Sequence, residues 1–316
     1  DLCHGCRLCF KFCPSFPTLF SYVDMHDDQD AGKMTPAQQD HVVDECFQCK
    51  LCYVNCPYIP GQSEWELDFP RLMLRADAMR HTNDQISLRD RLTTNVMGHT
   101  DLLGKVATST YPVLNKMMGA KPGSVVRKLI EKTSGVSSER VLPPFAKQRF
   151  TTWFNRRPKL RIGKRQGRVA LFPTCLVEYQ APDVGHDLVK VYERNGIECT
   201  LADTTQCCGA PFLHSGDIDS FTKVAEKNVK ALANTVRKGL DIVVPQPTCG
   251  YVLKKDYLDY VGGPDAELVA ANTYDASEYL MKIHKGDGTS LNTDFLGDVP
   301  ESITYHTPCH LRAQNI

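Results

Sequence analysis

Residues 1–14 read DLCHGCRLCFKFCP, and residues 46–57 repeat the pattern as CFQCKLCYVNCP. Each copy spaces four cysteines with two, two and three residues between them, and a proline follows the last cysteine. Zinc sites use one or two Cys-x2-Cys pairs, and disulfides require no fixed rhythm. The repeated run therefore favours cysteine-ligated iron–sulfur sites. The cysteines are Cys3, Cys6, Cys9 and Cys13 in the first copy, and Cys46, Cys49, Cys52 and Cys56 in the second.

The spacing is typical of two-cluster ferredoxins, in which the fourth cysteine of each run ligates the other run's [4Fe–4S] cluster. Three thiolates at i, i+3 and i+6 wrap one corner of a cube, while the fourth side chain reaches the neighbouring cube. This crossing holds two clusters close together, which suits rapid electron transfer. The predicted ligand sets are Cys3, Cys6, Cys9 and Cys56 for one cluster, and Cys46, Cys49, Cys52 and Cys13 for the other.

The composition limits the class of protein. At 316 residues the chain is long enough for about two domains. Its formal net charge of zero argues against a nucleic-acid partner. The 14 patterned cysteines suit metal binding in a reducing compartment, so we expect a cytoplasmic protein. No apolar run reaches ~18 residues, so no transmembrane helix is predicted. Because the chain starts at Asp1, just before the first cysteine run, and stops at Ile316 inside another motif, we expect residues to be missing at both ends.

The stretch between the two cysteine runs contains a clear helix start. Thr35 is a suitable N-cap, and Pro36 suits the first helical position. A helix that leads into the second run favours the helical ferredoxin type found in quinone-linked dehydrogenase subunits. Residues 1–66 are therefore predicted to form a helical ferredoxin module with two clusters.

Residues 67–167 lack cysteine and are predicted to form a helical segment and a basic linker. Apolar residues recur at roughly helical spacing over 88–118, and a further helix is predicted to end at Gly135. These helices either pack on the ferredoxin module and each other or face a membrane or partner subunit. The basic stretch 156–168 is either a solvated linker or a contact for anionic lipid or an acidic partner. Three residues are predicted to interrupt the helical pattern: Gly98, Gly104 and Pro112.

From residue 168 onward, strand-like and helix-like stretches alternate, which predicts a parallel α/β domain over residues 168–316. The predicted strands are RVALFPTC, the beginning of IECTLADTTQCCG, and LDIVVPQPTCG. Ligands collect at the carboxyl ends of strands in such sheets. We therefore expect four thiols that follow strands to converge: Cys175, Cys207, Cys208 and Cys249.

A third iron–sulfur centre is the favoured interpretation of these four cysteines. A redox-active disulfide and four unrelated structural thiols are the alternatives. Gly209 would permit the sharp turn that two adjacent thiolates need. Cys199 lies inside a strand-like run and is predicted to be a buried core thiol.

The C…CCG…PTC pattern resembles the cysteine-rich CCG domain shared by the B subunits of heterodisulfide reductases, lactate-oxidation iron–sulfur proteins and the C subunits of anaerobic glycerol-3-phosphate dehydrogenases. The resemblance to the last group covers nearly the whole chain. It implies an α+β architecture of a helical ferredoxin module, a helical middle and an α/β CCG domain. Its motifs, besides the cysteine runs, are His99-Thr100-Asp101-Leu102 with Gly104, Leu142-Pro143 with Phe150 and Trp153, and Tyr305 to His310.

Two departures from the wider CCG pattern matter. Gln246 occupies the first cysteine position of the CxxC element of the reductases, a cysteine that the glycerophosphate group also lacks. Four thiolates remain instead of five, which suits an electron-transfer [4Fe–4S] cluster or a structural site rather than a disulfide-cleaving centre. Cys309 matches the first cysteine of a second CCG motif, and we expect the chain to stop inside that motif.

The expected function is electron transfer. The chain contains neither a GxGxxG fingerprint nor a P-loop, so substrate oxidation is expected on another subunit. The resemblance implies that a flavoprotein oxidises glycerol 3-phosphate, or another small hydroxy acid, and passes electrons through this chain toward quinone in anaerobic respiration. It also implies contact with the cytoplasmic face of the inner membrane. The alternatives are a catalytic subunit similar to heterodisulfide reductase and an electron donor to a rubrerythrin-type di-iron peroxide reductase.

Overall fold

The computed structural model describes residues 2–159, 164–203, 207–284, 291–292, 294–295 and 297–316. The chain forms two compact units. Unit 1 comprises residues 1–85, 213–217 and 306–316, and unit 2 comprises residues 86–212 and 218–305. The predicted segments 1–66, 67–167 and 168–316 divide the chain at other positions and stay a prediction about domains.

Unit 1 is helical. Its helices are α1 (Leu2–Cys6), α2 (Ser15–Asp24), α3 (Pro36–Asp44), α4 (Leu51–Asn55), α5 (Phe69–Thr82) and, near the end of the chain, α19 (Cys309–Arg312). The Thr35 hydroxyl accepts a hydrogen bond of 3.3 Å from the Gln38 N–H, and the Gln38 side chain accepts one of 2.8 Å from the Thr35 N–H. This capping box, with Pro36 at the first helical position, confirms the predicted start of α3.

Two small cores hold unit 1 together. Val23, Val42 and Met73 join α2, α3 and α5. The Arg80 guanidinium on α5 contacts the carboxylates of Asp40 at 2.6 Å and Asp44 at 2.7 Å on α3. The second core is formed by Phe16, Phe20 and Cys52. Aromatic side chains are thus packed directly beside the cysteine runs.

Unit 2 contains a parallel four-stranded sheet of order β2-β1-β3-β4. The strands are β1 (Gly167–Leu171), β2 (Ile197–Leu201), β3 (Asp241–Val244) and β4 (Thr273–Asp275). The first three strands and their parallel pairing confirm the predicted α/β domain. The sequence analysis misses β4, because three residues are too few to show a period. Cys199 is buried in β2, as predicted.

Most remaining helices belong to unit 2, and the division between the units falls within α13. A π-helical turn, Val252–Asp256, follows α15. The helices are α6 (Leu88–Gly98), α7 (Thr100–Ser109), α8 (Tyr111–Met118), α9 (Val125–Ser134), α10 (Phe150–Arg156), α11 (Cys175–Tyr179), α12 (Pro182–Arg194), α13 (Ala210–His214), α14 (Ile218–Arg237), α15 (Pro247–Tyr251), α16 (Tyr257–Tyr260), α17 (Gly263–Ala271) and α18 (Ala276–His284).

Two glycines bring the middle helices close to the α/β domain. A Cβ on Gly104 would lie 2.4 Å from Cδ2 of Tyr179 on α11, and a Cβ on Gly98 would lie 2.1 Å from Cζ of Phe212 on α13. The middle segment therefore packs on the α/β domain, a partner that the sequence analysis does not name. The prediction that Gly104 interrupts a helix is wrong. Gly104 lies inside α7, at a position where the close contact with the Tyr179 ring leaves no room for a side chain. Gly98 does end α6, and Pro112 lies in the first turn of α8.

Candidate iron–sulfur centres

A cavity of about 460 Å³, counting the space open to solvent, lies against the first cysteine run in unit 1. Five cysteines from both runs line it together: Cys3, Cys6, Cys9, Cys52 and Cys56. All of them except Cys52 belong to the first of the two crossed ligand sets predicted above. Phe16, Phe20 and Phe69 supply apolar walls. Arg7, between Cys6 and Cys9, has a φ of 50°, a left-handed conformation that turns the loop around the cavity.

A second cavity of about 280 Å³, counting the space open to solvent, lies against the other run. Cys13, Cys46 and Cys49 line it, and Cys52 lines both cavities. Gln48 and Lys50 flank Cys49 with φ values of 53° and 64°. The backbone thus repeats the left-handed turn at the same place in both runs. The structure brings the second predicted set together around one space.

The chemistry of these thiols fits a cationic partner. Burial, and then the neighbouring thiols of Cys56 and Cys3, raise the pKa of Cys9 to about 12. Burial and neighbouring thiols likewise raise the pKa of Cys52, and among the neighbouring thiols Cys9 makes the largest contribution. Thiolates here therefore need a positively charged partner, which iron in a cluster supplies. Within the described ranges, no three Cys, His, Asp or Glu side chains are placed to hold a single metal ion.

Polar side chains that the sequence analysis misses surround the second cavity. Lys50 is 5% exposed, and its Nζ donates a hydrogen bond of 3.1 Å to Oε1 of Gln48. The Gln48 Nε2 donates to Cys46 Sγ at 3.6 Å. Burial, and then the charges of Lys50 and His310, lower the pKa of His214 to about 3. The sequence contains one signal that could have identified Lys50 as a residue of this site, namely its position inside the second cysteine run.

The segment from residue 306 onward belongs to unit 1. His310 is buried, and its Nε2 lies 3.0 Å from the carbonyl oxygen of Gln48. Burial, and then the neighbouring thiol of Cys49, raise the pKa of Cys309. Cys309, the predicted first cysteine of a second CCG motif, therefore lies beside the second cavity.

The four CCG cysteines converge in unit 2. Cys175 opens α11 after β1, the adjacent pair follows β2, and Cys249 lies in α15 after β3. A hydrogen bond from Cys175, then one from Cys208, lower the pKa of Cys207. Hydrogen bonds to Cys207 and Cys249, then burial, raise the pKa of Cys208. The sulfurs thus form one connected group, in which Cys207, Cys208 and Cys249 are buried and Cys175 is partly exposed. The group favours a thiolate at Cys207, and its donor set fits iron. None of the 14 cysteines forms a disulfide.

Side chains from α7, α14 and α16 hold the Cys-Cys-Gly turn. Asp101 Oδ2 accepts a hydrogen bond of 2.9 Å from the Cys207 N–H, and Thr100 hydrogen-bonds the Cys207 sulfur. Asn228 Nδ2 donates to the Cys207 carbonyl at 2.9 Å, and the Tyr257 hydroxyl donates to the Cys208 carbonyl at 2.9 Å. The His99 to Leu102 motif, which the sequence shows only as a resemblance, thus has a structural reason: it supports the turn.

Gln246 has a definite role in the place of the missing cysteine. Its side chain caps α15, with Oε1 accepting a hydrogen bond of 3.1 Å from the Cys249 N–H. A glutamine here positions the backbone of a neighbouring thiol and supplies no sulfur of its own. The site therefore offers four thiols.

Comparison with known proteins agrees with both cysteine groups. Residues 1–57 match the 4Fe-4S dicluster domain, and residues 169–254 match the cysteine-rich domain CCG. The chain is 30% identical to the C subunit of anaerobic glycerol-3-phosphate dehydrogenase from Escherichia coli (strain K12) over 225 residues, 71% of this chain and 54% of that protein. The chain thus spans about half the length of this relative. No solved structure matches it.

Two further relatives share shorter stretches. The B subunit of fumarate reductase (CoM/CoB) from Methanothermobacter marburgensis is 34% identical over 158 residues, 49% of this chain and 28% of that protein. Lactate utilization protein A of Bacillus pumilus is 31% identical over 152 residues, 46% of this chain and 58% of that protein. The similarity to both therefore covers about half of this chain.

Proposed function

Because the chain is an iron–sulfur protein similar to the C subunit of anaerobic glycerol-3-phosphate dehydrogenase, with a 4Fe-4S dicluster domain and a CCG domain, we propose that it is the electron-transfer subunit of a dehydrogenase complex. A flavoprotein partner oxidises glycerol 3-phosphate or another small hydroxy acid. The clusters accept electrons one at a time and pass them toward quinone. The proposal is supported above all by one observation: the cysteines of both runs line two adjacent cavities.

The proposed ligands are the two crossed sets. Cys3, Cys6, Cys9 and Cys56 hold one cluster, and Cys46, Cys49, Cys52 and Cys13 hold the other. The sharing of Cys52 between both cavity linings supports a short distance between the clusters. When bound, such clusters cycle between two oxidation states, and burial and hydrogen bonds to sulfur set their potentials.

A third cluster is proposed on Cys175, Cys207, Cys208 and Cys249. Burial, four thiols and the hydrogen bonds from Thr100 and Gly209 to Cys207 support it. Four thiols with Gln246 as a cap favour electron transfer over disulfide cleavage. Cys309, beside Cys49, is proposed as the first ligand of a further site.

The proposed location is the cytoplasmic face of a membrane. In the part of the chain that the structure describes, no helix is long and apolar enough to cross a bilayer. Each helix from α6 to α9 nevertheless exposes an apolar pair four residues apart, a pattern typical of helices that lie on an apolar surface. The pairs are Leu88 and Leu92, Leu102 and Val106, Val113 and Met117, and Val125 and Leu129.

Metal analysis and electron paramagnetic resonance test the proposed clusters. Anaerobically purified protein should contain about 8 iron atoms per chain from the two runs and about 12 with the CCG cluster. Cys208→Ala should remove about 4 iron atoms and one electron paramagnetic resonance signal. The control Cys199→Ala should keep both the iron content and the signals of the wild type. Stoichiometric zinc without iron would refute the proposal, and an unchanged spectrum for Cys208→Ala would refute the third cluster.

Co-purification tests the role in a complex. A tagged chain expressed in its own host should retain a flavoprotein, visible by its flavin absorbance. That flavin should reduce the clusters when the hydroxy-acid substrate is added without oxygen. Reduction that occurs without the flavoprotein would place substrate oxidation on this chain and contradict the proposal.

A further inference from the structure

Unit 2 contains an open basic cleft remote in sequence from every cysteine. It encloses about 960 Å³, including its mouth, between α7, residues 147–149 and α10. Four cationic side chains line it: Lys105, Lys147, Arg149 and Arg156. They come from two separate stretches of sequence, α7 and residues 147–156, so the fold, and not a local charge run, assembles them.

The positive charge in this cleft is incompletely balanced. Arg149 Nη1 lies 3.8 Å from Oε1 of Glu178. That carboxylate already accepts hydrogen bonds from the N–H of Thr151 at 2.9 Å and from its hydroxyl at 2.6 Å. Among the described residues, Lys105, Lys147 and Arg156 make no ion pair within 4.0 Å, although the charge of Lys105 also acts at longer range on the carboxylates of Asp101 and Glu178. The cleft therefore carries a net positive potential that favours an anion.

A buried hydroxyl in the same cleft lacks a partner. Thr108 is 8% exposed and lines the cleft, and its Oγ1 has no hydrogen-bond partner in the described part of the chain. The next two residues differ: the hydroxyls of Ser109 and Thr110 donate to carbonyl oxygens one turn back, at 2.9 and 3.0 Å. A buried unpaired hydroxyl costs free energy; because this Oγ1 exposes less than 1 Å² to solvent, the Thr108 side chain must rotate toward the cleft before a bound ligand supplies the missing hydrogen bond.

We propose that this cleft binds a phosphate group. Three or four cations suit a doubly charged anion, and arginine guanidinium groups match the geometry of phosphate oxygens. Lys105 and Arg156 balance the charge, and the Thr108 hydroxyl donates to a phosphate oxygen. The cleft is larger than a phosphate ion, so the phosphate can belong to a small phosphoester or to a phospholipid headgroup. The proposal does not depend on the electron-transfer function.

Calorimetric titration of the full, anaerobically purified chain with inorganic phosphate, at constant ionic strength, tests the proposal. Wild-type protein should show saturable binding. Lys105→Gln and Thr108→Val should each weaken it about tenfold, the typical worth of one hydrogen bond to a charged group. Lys128→Gln is the matched control, because Lys128 is an exposed lysine on α9 outside the cleft. It should bind phosphate as the wild type does.

A second arm distinguishes the source of the phosphate. The same variants are sedimented with phosphatidylcholine vesicles that contain or lack phosphatidylglycerol. A lipid headgroup is identified if phosphatidylglycerol increases the sedimentation of the wild type and both cleft variants lose this increase. A free phosphoester is identified if inorganic phosphate binds saturably but phosphatidylglycerol does not increase sedimentation. Absence of both, or equal losses in Lys128→Gln, would overturn the proposal.

Folding of the variants is checked independently. Thr108→Val has nearly the same shape and removes an unpaired hydroxyl, so its unfolding temperature should equal or exceed that of the wild type. All variants should keep the iron content of the wild type. Wild-type phosphate affinity in Thr108→Val would overturn the assignment of the hydroxyl as a donor.

Discussion

Lys50 shows how one residue can distinguish two similar clusters. It lines the second cavity and is buried. Burial raises the pKa of Cys46, and the charge of Lys50 is one of the contributions that oppose this rise. A fixed positive charge stabilises the more negative, reduced state of a nearby cluster. Lys50→Met should therefore lower the reduction potential of the second cluster by on the order of 50 mV and leave the first nearly unchanged.

Redox titration followed by electron paramagnetic resonance measures this difference. Lys50→Arg is the control, because it keeps the charge while changing the shape. If both substitutions shift the potential equally, packing and not charge is responsible. If neither shifts it, Lys50 has no effect on the cluster.

Asp77 predicts a pH dependence of stability in unit 1. Burial raises its pKa to about 6, against the opposing effect of Arg80. The folded chain therefore keeps a proton that the unfolded chain releases near pH 4. The stability linked to this proton is complete at low pH and is lost as the pH rises through about 6. Asp77→Asn should be more stable than the wild type by about 1–2 kcal/mol near pH 8 and nearly equal to it near pH 4.

Urea unfolding of anaerobically purified protein, followed by circular dichroism at both pH values, checks this prediction. Asp27→Asn is the control, because it removes the same charge from an exposed position. A stability difference that is the same at both pH values would show that a packing change, and not ionisation of Asp77, is responsible.

At the scale of elements, α7 links the middle segment to the CCG turn. Gly104 allows contact with Tyr179, whose hydroxyl donates to the Asp101 carboxylate at 3.3 Å. Gly104→Ala would place a methyl group 2.4 Å from the Tyr179 ring and displace α7. It should destabilise unit 2 by about 1–3 kcal/mol. It should also weaken the signal of the third cluster, because Asp101 moves with α7.

Ser109→Ala is a suitable comparison on the same helix, since Ser109 is exposed and bonds only locally. Unfolding and electron paramagnetic resonance are measured on both variants. Gly104→Ala with wild-type stability would contradict the close packing, and a destabilised variant with an unchanged third signal would separate α7 from the cluster site.

Local signals in the sequence predict local structure well. Thr35 and Pro36 mark the start of α3 because the cap is made within four residues. The convergence of Cys175, Cys207 and Cys249 follows from the strand order of a parallel sheet. Helical spacing reveals no packing partner, so the sequence does not predict the contact of α7 with α11. The same limit hides the side chains that reach the Cys-Cys-Gly turn from distant helices, Asn228 and Tyr257.

At the scale of the molecule, the cysteines divide between the two units. Unit 1 holds both runs and also Cys309, and unit 2 holds the four CCG cysteines. Chain order alone would place Cys309 with the α/β domain. Within unit 1, the side chains of His310 and Leu311 are buried, and Nε2 of His310 lies 3.0 Å from the carbonyl oxygen of Gln48, so that Cys309 lies beside Cys49. Each compact unit therefore contains its own group of thiols.

The exposed apolar pairs of α6 to α9 lead to a prediction for the whole protein. Leu102 and Val106 are 67% and 55% exposed, so their loss should not disturb the fold. If these helices lie on a membrane, replacing both residues with serine removes buried apolar area and should weaken vesicle binding about tenfold. Val184 and Val191 on α12 are exposed to a similar degree and serve as the control pair. Sedimentation with phosphatidylcholine vesicles measures the difference, and equal binding of the two double variants would show that α7 does not face the bilayer.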